Sequence, residues 1–233
     1  MTPAGRLAAA AELIAAVGAE PRRPADAISN DWFRARRYIG GGDRRAIAER
    51  VWAMVRQRLR LEWHLHRVKA EPSARLLLGA HLILAEGWTA QRLEQEAFPG
   101  GQYALHRLDD QERRALAALV GRPLVHPDMR EAVRLNIPDW LLPGFRERFG
   151  ERLPEEAAAM DGPAPLDLRA NLLRGTREAA VAALTAVGIE AAPTPLSPWG
   201  LRVAGRASVV ATVAFRDGLI EDGPLVEGPE SRD

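Results

Sequence analysis

The sequence predicts a mainly α protein, an all-helical bundle followed by a small α+β domain. Three observations carry this. Apolar residues recur at helical spacing through roughly the first 130 positions with no strand-like alternation. Prolines then punctuate the chain at 138, 143, 154, 163 and 165. Beyond them a strand–helix–strand–strand order fits within residues 163–221. The predicted organisation is a helical domain over 1–135, a helical connector over 136–162, a small α+β domain over 163–221 and a flexible tail over 222–233.

The first helix could be misread as a secretory leader, because Arg6 precedes an alanine-rich stretch. Glu12 interrupts that stretch, and Leu7, Leu13, Ile14 and Val17 recur at helical spacing, so an amphipathic helix is the better reading. Pro24 suits the first turn of a second helix, Ala25–Tyr38. Gly40-Gly41-Gly42 ends it, and Asp43 can cap a long third helix from Arg44 to about Arg60 or Leu65. Ile47, Val51, Met54, Val55 and Leu59 give that helix one buried stripe. Ser73–Glu86 is apolar on most sides, as a helix at the centre of a bundle would be. Shorter helices are expected near Thr89–Glu96, Asp110–Leu119, His126–Val133, Asp139–Phe149 and Pro154–Met160.

In the last third, Leu166–Asn171 alternates apolar and polar like a strand. Thr176 can cap a helix Arg177–Val187 that stops at Gly188. Short strands are predicted at Ile189–Ala192, Gly200–Val203 and Gly218–Glu221. The remaining residues are acidic and rich in Gly and Pro, a composition that resists packing.

At 233 residues, 47% hydrophobic and 27% charged, the chain can bury a sizeable core without disulfides or metal. It has no cysteine, which removes disulfides, cysteine–zinc sites and cysteine nucleophiles together. No apolar run reaches the ~20 residues needed to cross a bilayer, and a cytoplasmic setting is expected. Net charge is only +1, yet residues 20–70 hold 13 Arg and Lys against 6 Asp and Glu. All but one of these cations are arginine. Arg34, Arg36 and Arg37 close one predicted helix, Arg44 and Arg45 open the next, and Arg56 and Arg60 lie one turn apart. Such a cluster can neutralise several phosphates, and arginine also stacks on unpaired bases. The competing reading is a solvated helix face with intrahelical ion pairs.

Other motifs point less far. The Gly40–Asp43 turn follows a helix and not a strand, so it lacks the context of a phosphate loop. Six tryptophans could stack bases, but at helical spacing they read as core anchors, with Trp32 beside the arginines keeping the most interest. His64 and His66 diverge by about 200° on a helix, so no metal site is expected. His106 and His126 are isolated, and no nucleophile–base set can be assembled.

Two segments resemble a known family. Residues 24–65, PADAISNDWFRARRYIGGGDRRAIAERVWAMVRQRLRLEWHL, are similar to the front of the NusB-like domain of RsmB/NOP (Fmu/Sun) ribosomal RNA cytosine-C5 methyltransferases. Residues 163–221 are similar to the ferredoxin-like domain that follows it, and Ile137-Pro-Asp-Trp-Leu141 to the stretch that precedes that domain. The resemblance implies an RNA-binding front end that delivers ribosomal RNA to a later S-adenosylmethionine-binding domain with a Gly-rich loop and two catalytic cysteines. It also matches Arg169 and Asn171 to a family L-R-x-N strand supporting the RNA-facing part of the α+β domain. A structural role at the strand end is the alternative for Asn171.

The expectation is therefore RNA binding without catalysis, because the chain offers no catalytic side chain, no metal ligands and no cofactor site. The candidate RNA-binding residues are Arg34, Arg36, Arg37, Arg44, Arg45, Arg56, Arg60 and Arg169. S-adenosylmethionine would belong to the intact family enzyme. A stand-alone NusB-like protein–protein module is the alternative, with a protein partner held by the bundle.

Overall fold

A computed structural model describes residues 1–205 and 207–222, with the side chain of Asp222 left aside. The chain divides into two compact units, residues 1–162 and a second beginning at Pro163. A mainly helical first unit and a small four-stranded second unit agree with the expected fold class. The tail expected over 222–233 lies outside the described residues from 223 onward.

The first unit opens with α1 (Pro3–Ala19), capped by Thr2, whose hydroxyl accepts from the Gly5 N–H. Leu7, Leu13 and Ile14 are buried, so this helix is core and not a leader. Next come α2 (Ala25–Ala35), α3 (Gly41–Arg56), α4 (Arg58–Arg67) and α5 (Ala74–Leu84). As its sequence predicts, α5 sits at the centre, with Leu78, Ala80 and Leu82 fully enclosed. Gly79 lets the later helix Asp110–Ala117 approach it, since a Cβ there would stand 2.7 Å from Leu116 Cδ1. The helix expected near residue 89 is α6 (Ala90–Arg92), which runs on as a π-helical turn over Leu93–Ala97. The unit continues with α7 (Asp110–Ala117), α8 (Glu131–Arg134), α9 (Leu142–Phe149) and α10 (Leu153–Asp161).

Two helical expectations are corrected. The second helix ends at Ala35 and not Tyr38, because the chain turns at Arg36 (φ −117, ψ 58), whose N–H bonds back to the Phe33 carbonyl. Ile39, buried beside the core, then anchors the loop. The long third helix is two helices broken at Gln57. Asn136 enters the break: its Oδ1 accepts from the Leu59 N–H at 3.1 Å, and its Nδ2 donates to the Arg56 carbonyl. A side chain 77 positions away in sequence thus replaces ladder bonds, which no local pattern could reveal. Asp43 is also displaced from its expected role. Gly40 occupies the N-cap, with no side-chain cap, and Asp43 lies inside the first turn.

Residues 136–162, expected as a connector, lie within the first unit. Leu135, Ile137, Leu142, Leu153 and Ala157 form a small apolar core of their own with Ala132. A buried arginine described below fastens this segment to α4.

The second unit runs β1 (Leu166–Ala170), α11 (Arg177–Thr185), β2 (Ala191–Pro193), β3 (Gly200–Val203), α12 (Val213–Arg216) and β4 (Ile220–Asp222). The strands form one antiparallel sheet in the order β2-β3-β1-β4, with Leu168 opposite Leu201 and Ala170 opposite Ile220. The two outer connections are helical, which makes this a ferredoxin-like β-α-β-β-α-β unit. One sheet face is apolar: Leu168, Ala170, Leu201, Val203 and Ile220 pack with Ala180 and Leu184 of α11. The other carries ion pairs, including Arg202 bidentate on Asp167 at 2.6 and 2.7 Å. Within the described residues of this unit, sequence periodicity missed α12, four residues long, which is too short to show a helical stripe.

Candidate nucleic-acid interface

The arginines of residues 34–45 converge where α2 gives way to α3. Arg34, Arg37, Arg44 and Arg45 are exposed and Arg36 is half-buried. Trp32 and Phe33 point inward and meet edge to face at 5.1 Å, forming the floor under the corner. The Arg36 guanidinium lies 4.0 Å over the Trp32 ring and reaches Glu12 at 3.4 Å, while Arg44 lies 5.2 Å from the Phe33 ring. Trp32 is therefore covered and is no free stacking platform. Arg34 is paired with Asp31 at 2.7 Å. Among the described residues, Arg37, Arg44 and Arg45 have no carboxylate partner. Asp43, the one acid in the turn, is engaged by the amino terminus at 2.8 Å and by Arg6 at 3.3 Å. The bond from the amino terminus and the Arg6 charge hold its carboxyl below the usual range against the opposing effect of burial. The acid at the corner is thus already neutralised, and the corner stays net positive.

The remaining candidates are placed elsewhere. Arg60 is a correction: it is buried, with Nη1 2.6 Å from Asp161 Oδ2 and with Nε and Nη2 both donating to the Arg134 carbonyl. It ties α4 to the end of α8 and to α10 and presents nothing to a ligand. Arg56 donates to the Asp161 carbonyl at 3.1 Å beside it, so its direction too is set by that segment. Arg169 lies in the second unit, on the polar face of β1, paired with Glu221 at 2.5 Å. Asn171 closes the strand end, donating to Glu221 at 3.0 Å and accepting from the Leu173 N–H at 3.1 Å. The structure thus gathers five of the eight candidate arginines and leaves three in structural ion pairs or hydrogen bonds.

The histidines have structural partners: His64 and His126 pack around Trp63, their rings 6.4 Å apart, and His81 meets Gln57 at 3.0 Å and Glu86 at 3.5 Å. His64 is buried and its Nε2 sits 3.1 Å from the Leu124 carbonyl; burial lowers its pKa, so it is held neutral. No group of three or more metal-ligating side chains occurs among the described residues.

A feature the sequence did not single out adjoins the corner. The chain has two tyrosines, and both Tyr38 and Tyr103 stand exposed over α1, lining one groove of about 480 Å³. The available signal was the position of Tyr38 directly after Arg36-Arg37; nothing local marks Tyr103.

The chain therefore holds a helical unit with an arginine corner and a ferredoxin-like unit, and comparison with known proteins bears on the second of these. Residues 137–210 match the family described as Methyltr_RsmF/B-like, ferredoxin-like domain. The chain is 37% identical over 83 residues to "Ribosomal RNA small subunit methyltransferase B" of Xylella fastidiosa, a stretch that is 36% of this chain and 19% of that protein. The crystal structure of PH0851 superposes with a TM-score of 0.56 at 16% identity, over 96% of this chain and 53% of that one, which shows a shared fold. Residues 137–210 are thus similar to the ferredoxin-like domain of RsmF/B-like methyltransferases. It spans about half the length of PH0851, and its matched stretch about a fifth of the methyltransferase. No helix among the described residues is long and apolar enough to cross a membrane.

Proposed function

We propose that this chain binds ribosomal RNA in the cytoplasm through the arginine corner of its helical unit, as the RNA-positioning front portion of a 5-methylcytosine methyltransferase. The observation that carries the reading is the contrast in pairing: Arg37, in the turn before α3, and Arg44 and Arg45, in its uncapped first turns, have no carboxylate partner among the described residues, while most surrounding arginines are paired. Unpaired guanidiniums raise the local concentration of phosphate and release counterions when they meet it. Their planar forks suit phosphate oxygens better than an ammonium would. These 233 residues contain no cysteine, so the thiolate that would add to cytosine C6 is not among them. We assign no residue of this chain to S-adenosylmethionine or to methyl transfer.

The test is RNA affinity measured against salt for the wild type and the R37Q/R44Q/R45Q variant. The variant should bind at least tenfold more weakly, and its log–log salt slope should flatten by about 2, given roughly 0.7–0.9 per phosphate contact. Methyl transfer from labelled cofactor by the purified 233-residue chain would overturn the non-catalytic part. A protein partner held by the helical bundle is the second reading, favoured by the exposed apolar side chains Val120 and Val125 of the first unit. Tight binding to a protein that ignores salt and the three substitutions would support it instead.

A further inference from the structure

The groove between Tyr38 and Tyr103 is joined to the arginine corner by two ion pairs. Glu12, on its wall, meets Arg36 at 3.4 Å, and Met1, on its rim, meets Asp43 at 2.8 Å. Its floor is the face of α1 that carries Gly5, Ala8 and Ala9, small residues that leave a flat surface. The loop bearing Tyr103 lies directly on that floor, since a Cβ on Gly5 would come within 3.4 Å of the Tyr103 carbonyl oxygen. Tyr38 is positioned from the other side by the turn between α2 and α3, where the Ile39 N–H bonds to the Arg36 carbonyl at 3.0 Å and the Ile39 side chain is buried. Both backbones are therefore fixed while both rings stay out: Tyr38 is 76% exposed and Tyr103 75%. Large exposed aromatic rings on anchored backbone are costly to hydrate and call for a flat apolar partner.

We propose that this groove receives an unpaired nucleobase of the RNA whose backbone runs along Arg37, Arg44 and Arg45, stacked on Tyr38 and Tyr103. The proposal rests on the RNA-binding reading above and adds that the RNA is single-stranded at this point. Charge complementarity selects nucleic acid as the occupant: cations with no carboxylate partner among the described residues adjoin an aromatic groove, the pairing of electrostatic track and stacking platform by which single strands are held. A duplex cannot use the groove, because its bases are already stacked and their edges lie inside the helix. Inside the groove, the Glu12 carboxylate is an acceptor and the Gln102 amide both donor and acceptor, so the base edge would be met by hydrogen bonds, with Glu12 favouring a base that carries an amino group.

The experiment compares a single-stranded RNA with a duplex of the same length, using the full 233-residue chain and its Y38A/Y103A, Y38F/Y103F and R37Q/R44Q/R45Q variants. The Y38A/Y103A variant should lose about five- to fiftyfold in affinity for the single strand, with duplex affinity and salt slope unchanged. Y38F/Y103F should keep near wild-type affinity, because stacking needs the ring and not the hydroxyl. A 2-aminopurine placed in the single strand should be quenched on binding the wild type and not on binding Y38A/Y103A. Equal single-strand affinity for wild type and Y38A/Y103A would overturn the proposal while leaving the arginine corner as the RNA site, and would leave the groove to a protein segment. Loss of RNA binding by neither variant set would remove both readings, and loss in R37Q/R44Q/R45Q alone would remove only this one.

Discussion

Two groups of arginines, separated by only a few residues in sequence, are used in opposite ways. Arg50, Arg56 and Arg60, on the later part of α3 and the start of α4, all turn to distant partners: Glu86 at 2.9 and 3.1 Å, the Asp161 carbonyl at 3.1 Å, and Asp161 and Arg134 around Arg60. Arg37, Arg44 and Arg45, before and at the start of α3, project to solvent. The difference lies in what packs against each end of the helix pair. The α8–α10 segment closes over the break at Gln57 and brings a carboxylate and free carbonyl groups with it. At the glycine turn the one carboxylate, Asp43, is already engaged by Arg6 and the amino terminus. An arginine's role is thus decided by the acid that reaches it, and that acid can lie a hundred positions away.

The sharpest way to break this contrast is at Arg60. Replacing it with Met keeps much of the side-chain volume but leaves Asp161 without its ion pair and the Arg134 carbonyl without two donors. The first unit should lose about 3 kcal/mol, toward the low end for a broken buried pair because the Asp161 side chain retains 26% exposure. Urea denaturation would read the loss. RNA affinity under conditions where the variant is folded should stay within twofold of wild type. A fall in RNA affinity with stability intact would place Arg60 in the interface after all and undo the distinction.

A smaller effect is expected at Glu86, where the comparison can be followed with pH. Burial pushes this carboxyl up, but hydrogen bonds from His81 and Arg50, together with the Arg50 charge, outweigh it and hold the pKa at about 2, against 4.5 for a free glutamate. The folded-state value is depressed, so the stabilisation is complete above pH 4.5 and disappears as pH falls toward 2. The E86Q substitution should cost about 2 kcal/mol at neutral pH, somewhat less than the full shift implies because the side chain is 29% exposed. The stability difference between wild type and E86Q should narrow through that acidic window. A difference that stays constant with pH would mean that the Arg50 pair contributes little and that the group is held by packing.

Much of the fold was legible in local pattern. The apolar run of α5, the alternation of β1 and the Thr176 cap of α11, whose hydroxyl accepts from the Ala179 N–H at 3.1 Å, each act within a few residues and leave a readable trace. The break at Gln57 was not legible, because Asn136 causes it from 77 positions away. The attachment of residues 136–162 to α4 was not legible for the same reason, since the Arg60–Asp161 pair spans 101 positions. Of the candidate site, the clustering of Arg34, Arg36, Arg37, Arg44 and Arg45 needed only one turn to bring them together. The roles of Arg56, Arg60 and Arg169 depended on tertiary partners that sequence spacing does not encode. Tyr103 joined Tyr38 only through the close approach of its loop to Gly5.

The smallest effect on stability should come from the corner itself, and its smallness is informative. In the R37Q/R44Q/R45Q variant no ion pair described here is lost. Arg44 gives up a contact 5.2 Å from the Phe33 ring, worth about 0.5 kcal/mol at an exposed site. Against that, removing three neighbouring positive charges relieves mutual repulsion, so the net change in unfolding free energy should lie within about 0.5 kcal/mol of zero. Arg36 is the intermediate case: R36Q gives up the stack 4.0 Å over Trp32 and the contact with Glu12, and should cost about 1 kcal/mol. The ordering Arg60, then Arg36, then the three exposed arginines follows directly from how many partners each guanidinium has. Groups that leave stability almost untouched when removed are those whose charge is uncommitted within the fold and open to a phosphate. A loss above 1 kcal/mol in the triple variant would show that these three are structural as well, and the division between inward and outward arginines would no longer hold.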